Sequence, residues 1–135
     1  MTERGKDIAA RARSMVGVRF RPQGRDPKLG LDCVGLAALA AEVPLERVRR
    51  DYALRGQRLA DIEHELRELG LHPVAGHQAA TGDVLVFEAG PAQLHLAVLT
   101  EQGLVHADAG LRMVVERPLP LPWPVLGLWR VEGDY

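Results

Sequence analysis

Cysteine is almost missing from this chain of 135 residues, which holds only Cys33. No internal disulfide can form, and a zinc site built on four cysteines is excluded. Aromatic residues are nearly as scarce, with two each of Trp, Tyr and Phe. That argues against a platform on which nucleic-acid bases stack. No run comes near the roughly 18 uninterrupted apolar residues of a membrane span. Neither sign of charge dominates, since 17 Lys and Arg against 18 Asp and Glu leave a net charge of −1. A nucleic-acid-binding domain is expected to be far more basic. Residues 1–14 are Arg-rich and helix-patterned without an apolar stretch, unlike a secretory signal. The expectation is synthesis in the cytoplasm.

What is present suits one domain over residues 1–135. The composition is 47% hydrophobic and 26% charged, and a chain of this length buries enough surface for one core. Residues 1–67 carry 14 basic and 10 acidic side chains, whereas residues 68–135 carry 3 and 8. Helical spacing over residues 2–15 sets Ile8, Ala9, Ala12, Met15 and Val16 on one side, after a candidate cap at Thr2. Pro22, Gly24, Asp26, Pro27 and Gly30 mark a loop. Asp32 opens a small-residue apolar helix from Cys33 to about Glu42, Pro44 begins a short one through Arg50, and an amphipathic one covers about 59–69. The period then changes to two. Residues 83–88, 94–100, 104–107, 112–117 and 125–131 read as strands. They lie too close together for crossover helices, so the sheet should be antiparallel. The expected class is α+β, with N-terminal helices packed on an antiparallel sheet of about five strands.

Cys33, His95 and His106 carry the candidate chemistry. Cys33 falls in the first turn of its helix, where free N–H groups and the helix dipole favour an anion and so lower a thiol's pKa. His95 sits among Leu94, Leu96, Ala97, Val98 and Leu99, where an imidazole needs a partner. A thiol–imidazole pair would satisfy both groups and supply a general base. His106 follows eleven residues later. If the turn is Glu101–Gln102, His95 faces Asp108 and lies diagonal to His106 on one sheet face; a loop of odd length would separate the rings. Arg19, Arg21 and Arg25 form a modest basic patch. A zinc site from Cys33, His95, His106 and Asp108 is the rival reading, and nothing in the spacing favours it. His64, His72 and His77 read as surface residues.

Four segments occur in order: L-D-C-V-G-L at Cys33, G-D-V-L-V-F at residues 82–87, H-L-A-V-L at His95 and L-V-H-A at His106. Together they resemble the NlpC-type cell-wall cysteine peptidases, over nearly the whole chain. The stretch G-V-R-F-R-P-Q-G-R-D-P, residues 17–27, is similar to the branch encoded with phage-tail and gene-transfer-agent genes. The resemblance implies a papain-like fold and an endopeptidase or amidase that cuts peptidoglycan stem peptides between D-γ-glutamate and a diamino acid. It implies Cys33 as nucleophile, His95 as general base and acid, and His106 as the residue orienting it, with no cofactor and no metal. Asp32 would shape the side that receives the substrate's amine.

Two positions depart from the family pattern. Phe20 stands where the family carries a Tyr whose hydroxyl assists the oxyanion, and Val34 replaces the Ser after the nucleophile. Arg25, with Arg19 or Arg21, is then the expected contact for stem-peptide carboxylates. The partners implied are the stem peptide and phage-like tail proteins. The competing expectation is a tail-tip or tail-assembly protein that keeps the fold with little or no activity.

Overall fold

Ile8, Ala9 and Ala12 form the buried stripe of helix α1 (Glu3–Ser14) in the computed structural model, which describes residues 3–48, 58–90, 93–121 and 123–131. The candidate Thr2 cap and the end of the helix expected through Arg50 lie outside the described residues. Gly17, at φ +94°, turns the chain into a loop that holds a two-stranded ribbon, β1 (Arg25–Asp26) and β2 (Gly30–Leu31). Helix α2 (Cys33–Ala40) follows and buries six of its eight side chains. Only small residues permit that depth: a Cβ on Gly35 would collide with the Gly24 carbonyl. Arg11 ties α1 to the far end of α2 through the Ala40 carbonyl, at 2.8 Å. A 3₁₀ turn at Leu45–Arg47 stands where a short helix was expected. Helix α3 (Leu59–Glu68) buries Ile62 and Leu66 and gives way to Gly70, whose φ of +92° suits a glycine at a helix end.

The second half is β3 (Leu71–Val74), β4 (Val84–Gly90), β5 (Gln93–Leu99), β6 (Leu104–Asp108), β7 (Met113–Arg117) and β8 (Val125–Val131). They form one antiparallel sheet in the order β3-β8-β4-β5-β6-β7. The sheet has six strands where the sequence pattern showed about five. β3 escaped notice because Pro73 interrupts its pattern. As an edge strand it pairs only with β8, and a proline lacking its N–H is tolerated there.

Period two divides the sheet's side chains between two layers. Val84, Val86, Leu94, Leu96, Val98, Val105, Ala107 and Val114 join the helices in the larger core. Leu85, Phe87, Ala97, Leu99, Leu104 and Leu128 form a smaller cluster on the opposite face. Among the described residues no helix packs on that second face; Leu121 and Trp123, between β7 and β8, pack against it.

A buried ion pair fastens β8 to the start of β4. Asp83 is fully buried and takes two hydrogen bonds from Arg130, at 2.7 and 2.8 Å, and one from the Ala80 amide at 2.9 Å. Deleting one partner of such a pair strands the other charge, at a typical cost of about 3–5 kcal/mol. Asp83→Ala should therefore lose about 3 kcal/mol or more of unfolding free energy in urea. A loss below about 1 kcal/mol would show that the pair is dispensable.

Candidate active site

β5 and β6 pair through only two positions, Val98 with Val105 and Leu99 with Leu104. The Thr100 amide donates to the Gly103 carbonyl at 2.9 Å, so the turn residues are Glu101 and Gln102. A loop of even length puts His95 and His106 on the same face of the sheet. Beyond Val98 and Val105 the ladder stops, and the two strands diverge toward the ends that carry His95 and Asp108.

The imidazoles open on the face away from the helices. The His95 ring stacks on Phe87, with centroids 5.5 Å apart and planes at 23°. Phe87 in turn stacks on Trp123 at 5.4 Å, and the His106 ring meets both edgewise at 5.9 and 6.3 Å. These four rings, with Gln93 and Asp108, line a cavity of about 160 Å³. His106 is 3% exposed, and neither of its ring nitrogens has a hydrogen-bond partner among the described residues. Its Nε2 lies 4.0 Å from an oxygen of Asp108, whose other oxygen accepts from the Gly110 and Leu111 amides at 2.8 and 3.1 Å. Burial lowers the pKa of both histidines and Asp108 partly restores it; Arg117 and His95 depress His106 further. Both imidazoles are therefore neutral at pH 7, each with one donor and one acceptor nitrogen.

Cys33 approaches from the helix layer. The backbone amides of Leu96, Cys33 and Val34 lie near enough to its sulfur to favour the thiolate. Leu96 immediately follows His95, on the stretch of β5 that no longer pairs with β6. Sulfur and imidazole thus meet β5 at neighbouring residues but from opposite faces, and no hydrogen bond joins them among the described residues. The thiol is 2% exposed. The sequence pointed to a lowered thiol pKa, whereas burial first and the Asp32 carboxylate second push it up to about 12. The three amides act in the expected direction, but desolvation outweighs them.

Asp32 is fully buried and caps α2, one oxygen accepting from the Gly35 amide at 2.8 Å and the other from the Gln23 amide at 2.9 Å. Arg25, expected to be open to a substrate carboxylate, is 5% exposed instead. Its guanidinium binds Asp32 and the Gly24 carbonyl, both at 2.9 Å. A charge cannot stay that deep without a counter-charge. Phe20 packs against the larger core beside Leu31. Arg19 and Arg21 are exposed, as are His64, His72 and His77. Among the described residues no three of His, Cys, Asp and Glu converge to hold a metal ion, and no helix is long and apolar enough to cross a membrane.

Phe87 and Trp123 of the imidazole cavity went unassigned in the sequence reading, and Asp108 was placed only opposite His95 or as a rival zinc ligand. Asp108 was legible, since it lies two residues past His106 and so on the same face. Phe87 was legible in the same way once paired with His95. Trp123 was not, because a proline-rich tract has no side-chain period to read. A second cavity, about 50 Å³ and lined by Ala37, Ala41, Ile62, Leu66 and Val84 among others, is apolar and holds none of these groups.

No family sequence model matches this chain, and no curated protein sequence does either. Solved structures do match. NlpC1 of Trichomonas vaginalis superposes with a TM-score of 0.69 at 17% identity, over 93% of this chain and 44% of that one. The peptidoglycan hydrolase RipB of Mycobacterium tuberculosis gives 0.62 at 19%, over 98% and 66%. RipD of the same organism, described as a non-catalytic NlpC/p60 domain protein adapted to peptidoglycan binding, gives 0.59 at 20%, over 98% and 100%. The chain thus spans less than half the length of NlpC1. The likeness is one of fold: this is the papain-like α+β architecture of NlpC/p60 domains.

The lowered pKa values of His95 and His106 have a consequence for stability. As pH falls through about 6.5 the unfolded chain takes up these protons before the folded one does. Their contribution is intact above that pH and is lost below it. Urea unfolding should accordingly show stability falling from pH 7 to pH 5, and His106→Asn should flatten the dependence. An unchanged slope in that variant would contradict the buried, neutral imidazole.

Proposed function

We propose that this protein is a thiol hydrolase of peptidoglycan stem peptides, cutting between D-γ-glutamate and a diamino acid. The observation that supports it best is the nearness of the Cys33 sulfur to the backbone amide of Leu96, the residue after His95, on the stretch of β5 that no longer pairs with β6. In this reading substrate entry turns the His95 ring off Phe87 and toward the sulfur, since a base must come within hydrogen-bond reach of the proton it takes. Neutral imidazole then accepts the thiol proton as sulfur attacks the scissile carbonyl. The tetrahedral intermediate collapses, and the departing amine takes that proton from the His95 imidazolium. A thioester to Cys33 remains, and water activated by His95 hydrolyses it. His106 orients His95 and Asp108 stabilises the imidazolium. The Cys33 backbone amide, at the start of α2, is a donor to the oxyanion. The family resemblance, together with the solved NlpC/p60 domains, carries the choice of substrate. Delivery by a tail-like particle belongs to the same reading and rests on residues 17–27 alone.

A second reading is a protein that retains the fold with little or no activity, a tail-assembly component or a wall-peptide binder. The raised thiol pKa and the Phe20 ring without a hydroxyl favour it. RipD is described as a non-catalytic domain of the same architecture.

Incubation with purified muropeptides, followed by mass spectrometry, separates the two. Cys33→Ala and His95→Ala should each reduce turnover by about 1000-fold or more. Turnover that survives both substitutions would sink the hydrolase reading. Binding without turnover by the unaltered protein would support the second.

A further inference from the structure

A cap on α2 needs only a side-chain oxygen, and Asn or Ser would serve as well as Asp32. The chain instead buries a full ion pair there. Asp32 is 0% exposed and Arg25 5%, with 2.9 Å between guanidinium and carboxylate. Desolvating two charges costs several kcal/mol, so such a pair adds little stability over an apolar one. Its position is the notable part: Asp32 directly precedes Cys33, and its carboxylate disfavours the thiolate.

We propose that Arg25 is a positioning residue for Cys33: its guanidinium holds the Asp32 carboxylate on the cap of α2 and offsets that negative charge beside the sulfur. The proposal rests on reading Cys33 as a reactive thiol. A bare carboxylate one residue away would oppose a developing thiolate strongly in so dry a site. Paired at 2.9 Å with a guanidinium, it presents a dipole whose field at the sulfur is far weaker. The pair is also immobile. Arg25 belongs to β1, which packs on α2, and its Nη1 donates to the Gly24 carbonyl as well as to Asp32. A Cβ on Gly24 would strike the Gly30 carbonyl, and one on Gly35 would strike the Gly24 carbonyl. The other titratable groups near the sulfur are His95 and His106 on β5 and β6, both neutral and turned to the opposite face. Arg25 is thus a cation that the structure sets against the charge that burdens Cys33.

The chain's single cysteine makes the test direct, because iodoacetamide modifies the thiolate of Cys33 alone. At pH 8 the alkylation rate follows the thiolate fraction, and one unit of thiol pKa is a tenfold change in rate. Arg25→Gln keeps donors for Asp32 and Gly24 while removing the charge; it should slow alkylation about tenfold. Arg25→Lys keeps the charge and should stay within about threefold of the unaltered protein. A purely structural role predicts the opposite sign, since a loosened α2 start exposes the thiol and speeds its alkylation. An Arg25→Gln rate equal to or above the original would overturn the proposal. Should that variant fail to fold, Asp32→Asn serves: it preserves the cap, leaves Arg25 unopposed and should accelerate alkylation about tenfold. A rate at or below the original there overturns the proposal equally. Muropeptide turnover plays no part in either measurement, so failure of the hydrolase reading is distinguishable from failure of this one.

Discussion

The buried carboxylate of Asp32 organises everything around the thiol. With no solvent contact it must satisfy its charge within the protein, and it does so through the amides of Gly35 and Gln23 and the guanidinium of Arg25. These contacts start α2, close the loop of residues 17–31 over it and draw the β1–β2 ribbon in. The glycines follow from the same demand, because backbone packed this closely leaves no space for a Cβ at Gly24 or Gly35. Cys33 inherits its position as the next residue in the chain.

That position exposes a conflict between two physical terms. Helix-start amides and the amide of Leu96 favour a thiolate, while near-complete burial opposes one more strongly. The resting pair is therefore a neutral thiol and a neutral imidazole. Chemistry at Cys33 would depend on a substrate that exchanges the Phe87 stack for a thiol contact at His95, so that proton transfer and attack come together.

The sequence foretold the elements well and the electrostatics poorly. The helix beginning at Cys33 and the strands around His95 and His106 were legible because helical period and alternation are local properties, whereas their shared face hung on the parity of one turn that the sequence left open. β3 was lost to one proline. Arg25 was taken for a substrate contact because its partner stands seven positions away across a turn, and no local pattern announces an ion pair. The sign of the Cys33 pKa shift failed for a related reason. A helix start is visible in sequence, but the depth at which it is buried depends on α1, α2 and the sheet together.

The split between β5 and β6 divides labour in the fold. The helix layer and the larger core sit on one face of the sheet, and the ring-lined cavity on the other, roofed by Trp123. Trp123 comes from a connector outside every strand, so its replacement breaks no ladder hydrogen bond. Its contacts are ring faces and the guanidinium of Arg117, at 4.9 Å. Drift in that connector can remodel which ligands fit over the imidazoles while the larger core stays untouched. Diversity of recognition is thereby uncoupled from the constraint of remaining folded.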